Sequence, residues 1–144
     1  VLFRSQVLWL DAIEKKYIEE GGGMNVMFKI DGKVVTPALS SSVLAGITRK
    51  SLIEILKSWD VPVEERQISV DELKDAMVAG KLEECWCCGT AAVLSPIGEL
   101  AYGEEKFIIN DFKTGPLAKR LYDELTGIQW GLKEDSFHWT TPVV

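Results

Sequence analysis

A mixed α/β (α+β) domain is the fold class this sequence predicts: short apolar runs punctuated by glycine extend as far as Thr36, and three later segments carry helical start, stripe or stop signals. With 144 residues, 47% of them hydrophobic and 26% charged, the chain suits one domain with a real core rather than a dominantly disordered state.

Val7-Leu8-Trp9-Leu10, ending at Asp11, reads as a buried strand. Tyr17-Ile18-Glu19 and Asn25–Ile30 flank the run Gly21-Gly22-Gly23, and Asp31-Gly32 is a strong two-residue hairpin signal before Lys33-Val34-Val35-Thr36. An antiparallel meander is expected here. After Pro37 and the Ser40-Ser41-Ser42 loop, Leu52, Ile53, Ile55, Leu56 and Trp59 recur on one helical face, so a helix should start near Gly46-Ile47-Thr48. Arg66-Gln67-Ile68-Ser69 reads as an exposed strand. Ser69 with Glu72 has the form of a capping box, opening a second helix through Leu73 and Met77 that stops at Gly80. Cys85-Trp86, Ala91–Leu94 and Leu100-Ala101-Tyr102 are short strand candidates broken by Gly89, Pro96-Ile97-Gly98 and Gly103. Gly115-Pro116 starts a third helix whose stripe, Leu117, Leu121, Tyr122 and Leu125, is expected to close at Gly127. There is no internal repeat, low-complexity tract or interdomain linker.

Charge and composition exclude several function classes. A formal net charge of -6 argues against nucleic acid, whose affinity for protein is mostly phosphate neutralisation by Lys and Arg. Apolar runs such as Ala91-Ala92-Val93-Leu94 are too short to cross a bilayer, and Val1-Leu2-Phe3-Arg4-Ser5 lacks the form of a secretory signal. The three cysteines, Cys85, Cys87 and Cys88, make a disulfide framework improbable and fit reduced thiols in the cytoplasm. Their spacing is not that of a zinc site. The sole histidine, His138, lies far downstream between Phe137 and Trp139, where a packing role is expected. No phosphate-binding Gly-Lys-Ser/Thr loop and no Gly-x-Ser-x-Gly elbow is present.

Three places carry chemistry. Gly46-Ile47-Thr48-Arg49, at a helix start, offers unpaired N–H groups and a positive dipole end to an anion, although Thr48 alone would more simply cap its own helix. Glu20 precedes three glycines that let a ligand approach, although alone it would read as a solvated carboxylate. Gly89-Thr90-Ala91-Ala92 is a second anion nest or an ordinary turn. Glu20 and the helix corner together would suit a ligand with both a basic ring nitrogen and a phosphate.

As a set, Glu20, Asn25, Val34-x-Thr36 and Leu44-x-Gly46-Ile47-x-Arg49 resemble the signature of class IV pyridoxal-phosphate aminotransferases. Val7-Leu8-Trp9-Leu10-Asp11 and Gly89-Thr90-Ala91-Ala92 with Ser95-Pro96 are more narrowly similar to branched-chain amino acid aminotransferases, and the likeness runs from about Gln6 to the C-terminus. The resemblance implies barrel-like mixed sheets flanked by helices, with 6–144 as a C-terminal cofactor-binding domain and 1–5 as a foreign or disordered lead. It implies pyridoxal 5'-phosphate as cofactor, with Glu20 on the pyridine nitrogen and Gly46, Ile47, Thr48 and Thr90 at the phosphate. Leu44 would pack on the ring, and Gly89, Thr90 and Ala91 would receive the substrate carboxylate. The implied reaction moves the amino group of Leu, Ile or Val to 2-oxoglutarate, in a cytoplasmic homodimer or larger oligomer. A D-amino acid aminotransferase, an aminodeoxychorismate lyase and a non-catalytic truncated module are the alternatives. In the family the Schiff-base lysine lies upstream of the strand matching Val7–Leu10, so no lysine here is carried over as catalytic and the 144 residues alone are expected to be inactive. Two departures stand out: Met27 replaces an aromatic, and Cys87-Cys88 replace a Gly and a small hydroxyl residue, which is expected to disturb the Gly89-Thr90 turn.

Overall fold

The computed structural model describes residues 6–143, so the lead assigned to Val1–Ser5 lies outside the described residues. In chain order the elements are β1 (Leu8–Leu10), β2 (Ile18–Gly21), β3 (Asn25–Ile30), β4 (Lys33–Thr36), α1 (Ile47–Ser58), β5 (Val63–Glu65) and α2 (Val70–Val78). There follow β6 (Leu82–Gly89), β7 (Val93–Pro96), β8 (Glu99–Tyr102), β9 (Glu105–Ile108) and α3 (Pro116–Gln129). The mixed α/β class is the one expected. A five-stranded sheet of order β5-β4-β3-β6-β7 forms the centre, with two-stranded sheets β1-β2 and β8-β9 beside it, all open in the described residues.

Period-two alternation on the central strands sorts the core into two layers. Met27, Trp86 and Cys88 face the layer built with Leu52, Ile55 and Leu56 of α1 and Leu121 and Leu125 of α3. Val26, Phe28, Cys85 and Cys87 face the layer containing Ile18, Ile68 and Leu73. A sheet covered on both faces explains why β6 reads as an almost continuous buried run. It also separates Cys85 and Cys88 onto opposite faces.

The Asp31-Gly32 turn forms as read, with φ 51° and 78°, the positive pair a type I′ hairpin requires. The meander does not continue through the glycines. Gly22, at φ 63°, turns the chain sharply; β2 pairs with β1, and the isolated bridge Gly21 to Met24 closes the turn without extending into a β2–β3 ladder. The other neighbour of β3 is β6, antiparallel from Asn25 opposite Cys88 to Ile30 opposite Leu82. The strand expected at Arg66–Ser69 lies earlier, at Val63–Glu65, parallel to β4. Ile68 is fully buried, because its carbonyl accepts the Ile18 N–H at 2.9 Å and its side chain enters the second core layer.

Only half of the capping box forms: Ser69 Oγ accepts the Glu72 N–H at 3.0 Å, while the Glu72 carboxylate takes Arg66 Nη2 at 2.6 Å instead of returning to the helix start. Gly127 does not end α3; it is buried within it. The terminator is Gly131, at φ 67°, with Gly131 N–H on the Ile128 carbonyl at 3.1 Å and Leu132 N–H on the Gly127 carbonyl at 2.8 Å, a Schellman closure.

Candidate functional site

The start of α1 is fixed from several sides. Thr36 Oγ1 donates to the Val26 carbonyl at 2.8 Å and locks the end of β4 onto β3. Arg49, 3% exposed, donates through Nη2 to the Pro37 carbonyl at 2.9 Å and pairs with Glu65 at 3.0 Å, which holds the first helical turn against the chain that leads to it. Within that lead, Glu20 Oε1 accepts the Leu44 N–H at 2.9 Å and Asn25 Nδ2 donates to the Leu44 carbonyl at 2.9 Å.

The N-cap of α1 is Gly46, at φ -65° and ψ 134°, with no side-chain cap. Thr48 is the second helical residue and does not cap its own helix, so that simpler reading fails. The other two α-helices of the described residues are capped: α2 by Ser69, and α3 by the Glu84 carboxylate, which accepts the Leu117 and Ala118 N–H groups at 3.1 and 2.9 Å. A helix start left with free N–H groups and a positive dipole end is where an anion is most favourably held.

Glu20, Leu44, Gly46, Ile47, Thr48, Gly89 and Thr90 line one open cleft of about 110 Å³, together with Asn25 and Cys88. Ala91 is exposed in the β6–β7 turn and does not line it. A cleft smaller than the roughly 300 Å³ of an enclosing ligand pocket is a wall against which a ligand lies. The exposed Leu44 and Ile47 side chains give that wall its apolar surface. A larger groove, about 620 Å³, runs between β1, α2 and β8 and shares only Met24 with this cleft.

Cys87 and Cys88 do not sit in a turn. They are ladder residues of β6, opposite Val26 and Asn25 on one side and Ser95 and Leu94 on the other, and the turn closes one residue later with Gly89 opposite Val93. Gly89 and Thr90 line the same cleft as the start of α1. Burial pushes the Cys87 thiol up to about 11 and the Cys88 thiol up to about 12, so both are neutral S–H groups. His138 is exposed at φ 57° rather than packed; its neighbours Phe137 and Trp139 stack at 4.3 Å and cover the first core layer.

Sequence reasoning missed Glu84. Its signal was an acid inside a run that is otherwise apolar and buried, where a carboxylate must find donors. It left Asn25 and Arg49 as motif residues without a role.

Residues 5–100 match the family described as amino-transferase class IV, and the chain belongs to that family. Within it, the chain is 57% identical over 139 residues to branched-chain-amino-acid aminotransferase 2 of Bacillus subtilis (strain 168), covering 96% of this chain and 38% of that one. It is 51% identical over 138 residues to branched-chain-amino-acid transaminase 1 of the same organism, covering 96% and 39%. Among solved structures it superposes on the branched-chain amino acid aminotransferase of Escherichia coli with TM-score 0.77 and 30% identity, covering 93% of this chain and 40% of that one. The branched-chain aminotransferase of Thermoproteus uzoniensis with norvaline gives TM-score 0.77 and 28% identity over 95% and 41%. The chain thus spans 38% and 39% of the length of these two curated relatives.

Proposed function

We propose that the chain is the cofactor-binding part of a branched-chain aminotransferase that uses pyridoxal 5'-phosphate to move an amino group from Leu, Ile or Val to 2-oxoglutarate. The observation that carries this reading is the cleft in which a carboxylate, Glu20, and the start of α1, without a side-chain cap, face the same space. The donor set fits the group: an acid for a basic ring nitrogen, and backbone N–H groups with the Thr48 and Thr90 hydroxyls for a phosphate. The names of the Bacillus subtilis relatives support the choice of reaction.

When bound, pyridoxal 5'-phosphate supplies the electron sink that makes loss of an amino acid α-proton accessible. In this reading Glu20 holds a proton on the ring nitrogen by its charge, and Gly46, Ile47, Thr48 and Thr90 anchor the phosphate. Leu44 supports one face of the ring, while Gly89 and Thr90, with Ala91 beside them in the turn outside the cleft, orient the substrate carboxylate. No lysine of the chain is assigned the covalent role, so the 144 residues are expected to bind cofactor without turnover. Among the described residues no helix is long and apolar enough to cross a membrane. A cytoplasmic homodimer is the proposed setting of the whole enzyme.

Titration of the purified chain with pyridoxal 5'-phosphate, followed by absorbance and calorimetry, tests the site. A saturable signal abolished by Thr48→Ala together with Glu20→Ala supports it, and no signal in the unaltered chain rejects it.

A further inference from the structure

Asn25 opens β3 and is only 6% exposed, on a strand whose next three residues are fully buried. A buried carboxamide left without a partner is destabilising, and this one is hydrogen-bonded to the short segment that leads into α1. Nδ2 donates to the Leu44 carbonyl at 2.9 Å, and Oδ1 lies so close to Gly46 that a Cβ there would collide with it. The Leu44 carbonyl also accepts the Gly46 N–H at 2.8 Å, so the turn is tight, with Asn25 hydrogen-bonded to its start and packed against its end.

This turn leads directly into α1, and the Leu44 side chain is 70% exposed into the space before it. The body of α1 is docked independently, by Leu52, Ile53, Ile55 and Leu56 in the core and by Arg49 on Pro37. Loss of the Asn25 grip would therefore loosen the turn and leave the helix in place.

We propose that Asn25 is a positioning residue: through the Leu44-Ala45-Gly46 turn it sets the direction of the first α1 N–H groups and of the Leu44 side chain, so that one ligand meets its phosphate anchor and its ring support together. The inference rests on the proposed cofactor site. It makes Asn25→Asp more damaging than Asn25→Ala, since a carboxylate would face the Leu44 carbonyl oxygen and repel the bound anion.

The test compares the affinity of the full chain for pyridoxal 5'-phosphate with its affinity for pyridoxal, which has the same ring without the phosphate. In Asn25→Ala the preference for the phosphorylated form is expected to fall about tenfold, the loss of one hydrogen bond to a charged group, and further in Asn25→Asp, with a smaller fall in pyridoxal affinity as the Leu44 side chain loses its direction. Should Asn25→Ala not fold, Asn25→Val, which fills the buried strand position without a donor toward Leu44, makes the same comparison. An unchanged preference, or an equal loss for both ligands, overturns the positioning role. No preference for pyridoxal 5'-phosphate in the unaltered chain overturns the cofactor reading itself, and the positioning role with it.

Discussion

Glu20 Oε1 accepts the Leu44 N–H at 2.9 Å, so the acid expected to face a ring nitrogen also holds the backbone of the residue expected to support the ring. One carboxylate thereby joins the two halves of the cleft. Glu20→Gln separates its roles: the amide oxygen still accepts from Leu44, but the charge is gone. Pyridoxal 5'-phosphate affinity is expected to fall by about 1.5–3 kcal/mol without a change in unfolding temperature, as calorimetry and thermal unfolding will show. A variant that binds as well as the unaltered chain contradicts the charge role.

Gly46→Ala probes the same turn from the other side. The backbone at Gly46, φ -65° and ψ 134°, suits alanine, so the only obstacle is the Asn25 Oδ1 atom that the new Cβ would meet. Because that carboxamide is committed to Leu44, the turn must shift, and cofactor affinity is expected to fall about tenfold. An undiminished affinity would show that the turn moves without consequence.

Glu84→Ala tests the fold rather than the site. Glu84 is 4% exposed, accepts the Leu117 and Ala118 N–H groups and lies 3.6 Å from Lys29 Nζ. Truncation leaves a buried helix start without its cap, at an expected cost of about 2–3 kcal/mol. Urea unfolding measures it, and a loss below about 0.5 kcal/mol contradicts the capping role.

Acid stability should report on Asp11. Its carboxylate accepts the Tyr17 and Lys16 N–H groups, each at 2.8 Å, and the Glu14 N–H at 2.6 Å, and these bonds lower its pKa from 3.8 to about 2. A depressed carboxylate contributes stability that is complete above its ordinary value and is lost as pH falls through the folded value. The stability gap between the unaltered chain and Asp11→Asn should therefore be constant above pH 4 and shrink between about pH 4 and pH 2. A gap independent of pH over that range removes the charge from the account.

What could be read from the sequence was local. Asp31-Gly32 demanded its hairpin because both residues accept positive φ, and Ser69 announced the start of α2 from the adjacent residues. The β3–β6 pairing and the Glu84 cap on α3 join residues far apart in sequence, and no local pattern specifies them. The fate of Cys87 and Cys88 was misread for the same reason: a Cys-Cys-Gly-Thr string looks like a turn until the neighbouring strands occupy both sides. The candidate site lies between these cases. Glu20, Thr48 and Thr90 each had an ordinary explanation alone, and only their convergence on one cleft favours the sharper one.

That convergence is tested most directly by amide chemical shifts in the isotope-labelled chain titrated with pyridoxal 5'-phosphate. Saturable shifts are predicted at Leu44, Ile47, Thr48 and Thr90, with the Leu117 and Ala118 amides, already held by Glu84, unmoved. Shifts spread equally over both helix starts, or confined to the groove between β1, α2 and β8, would contradict a cofactor clamp at Glu20 and α1.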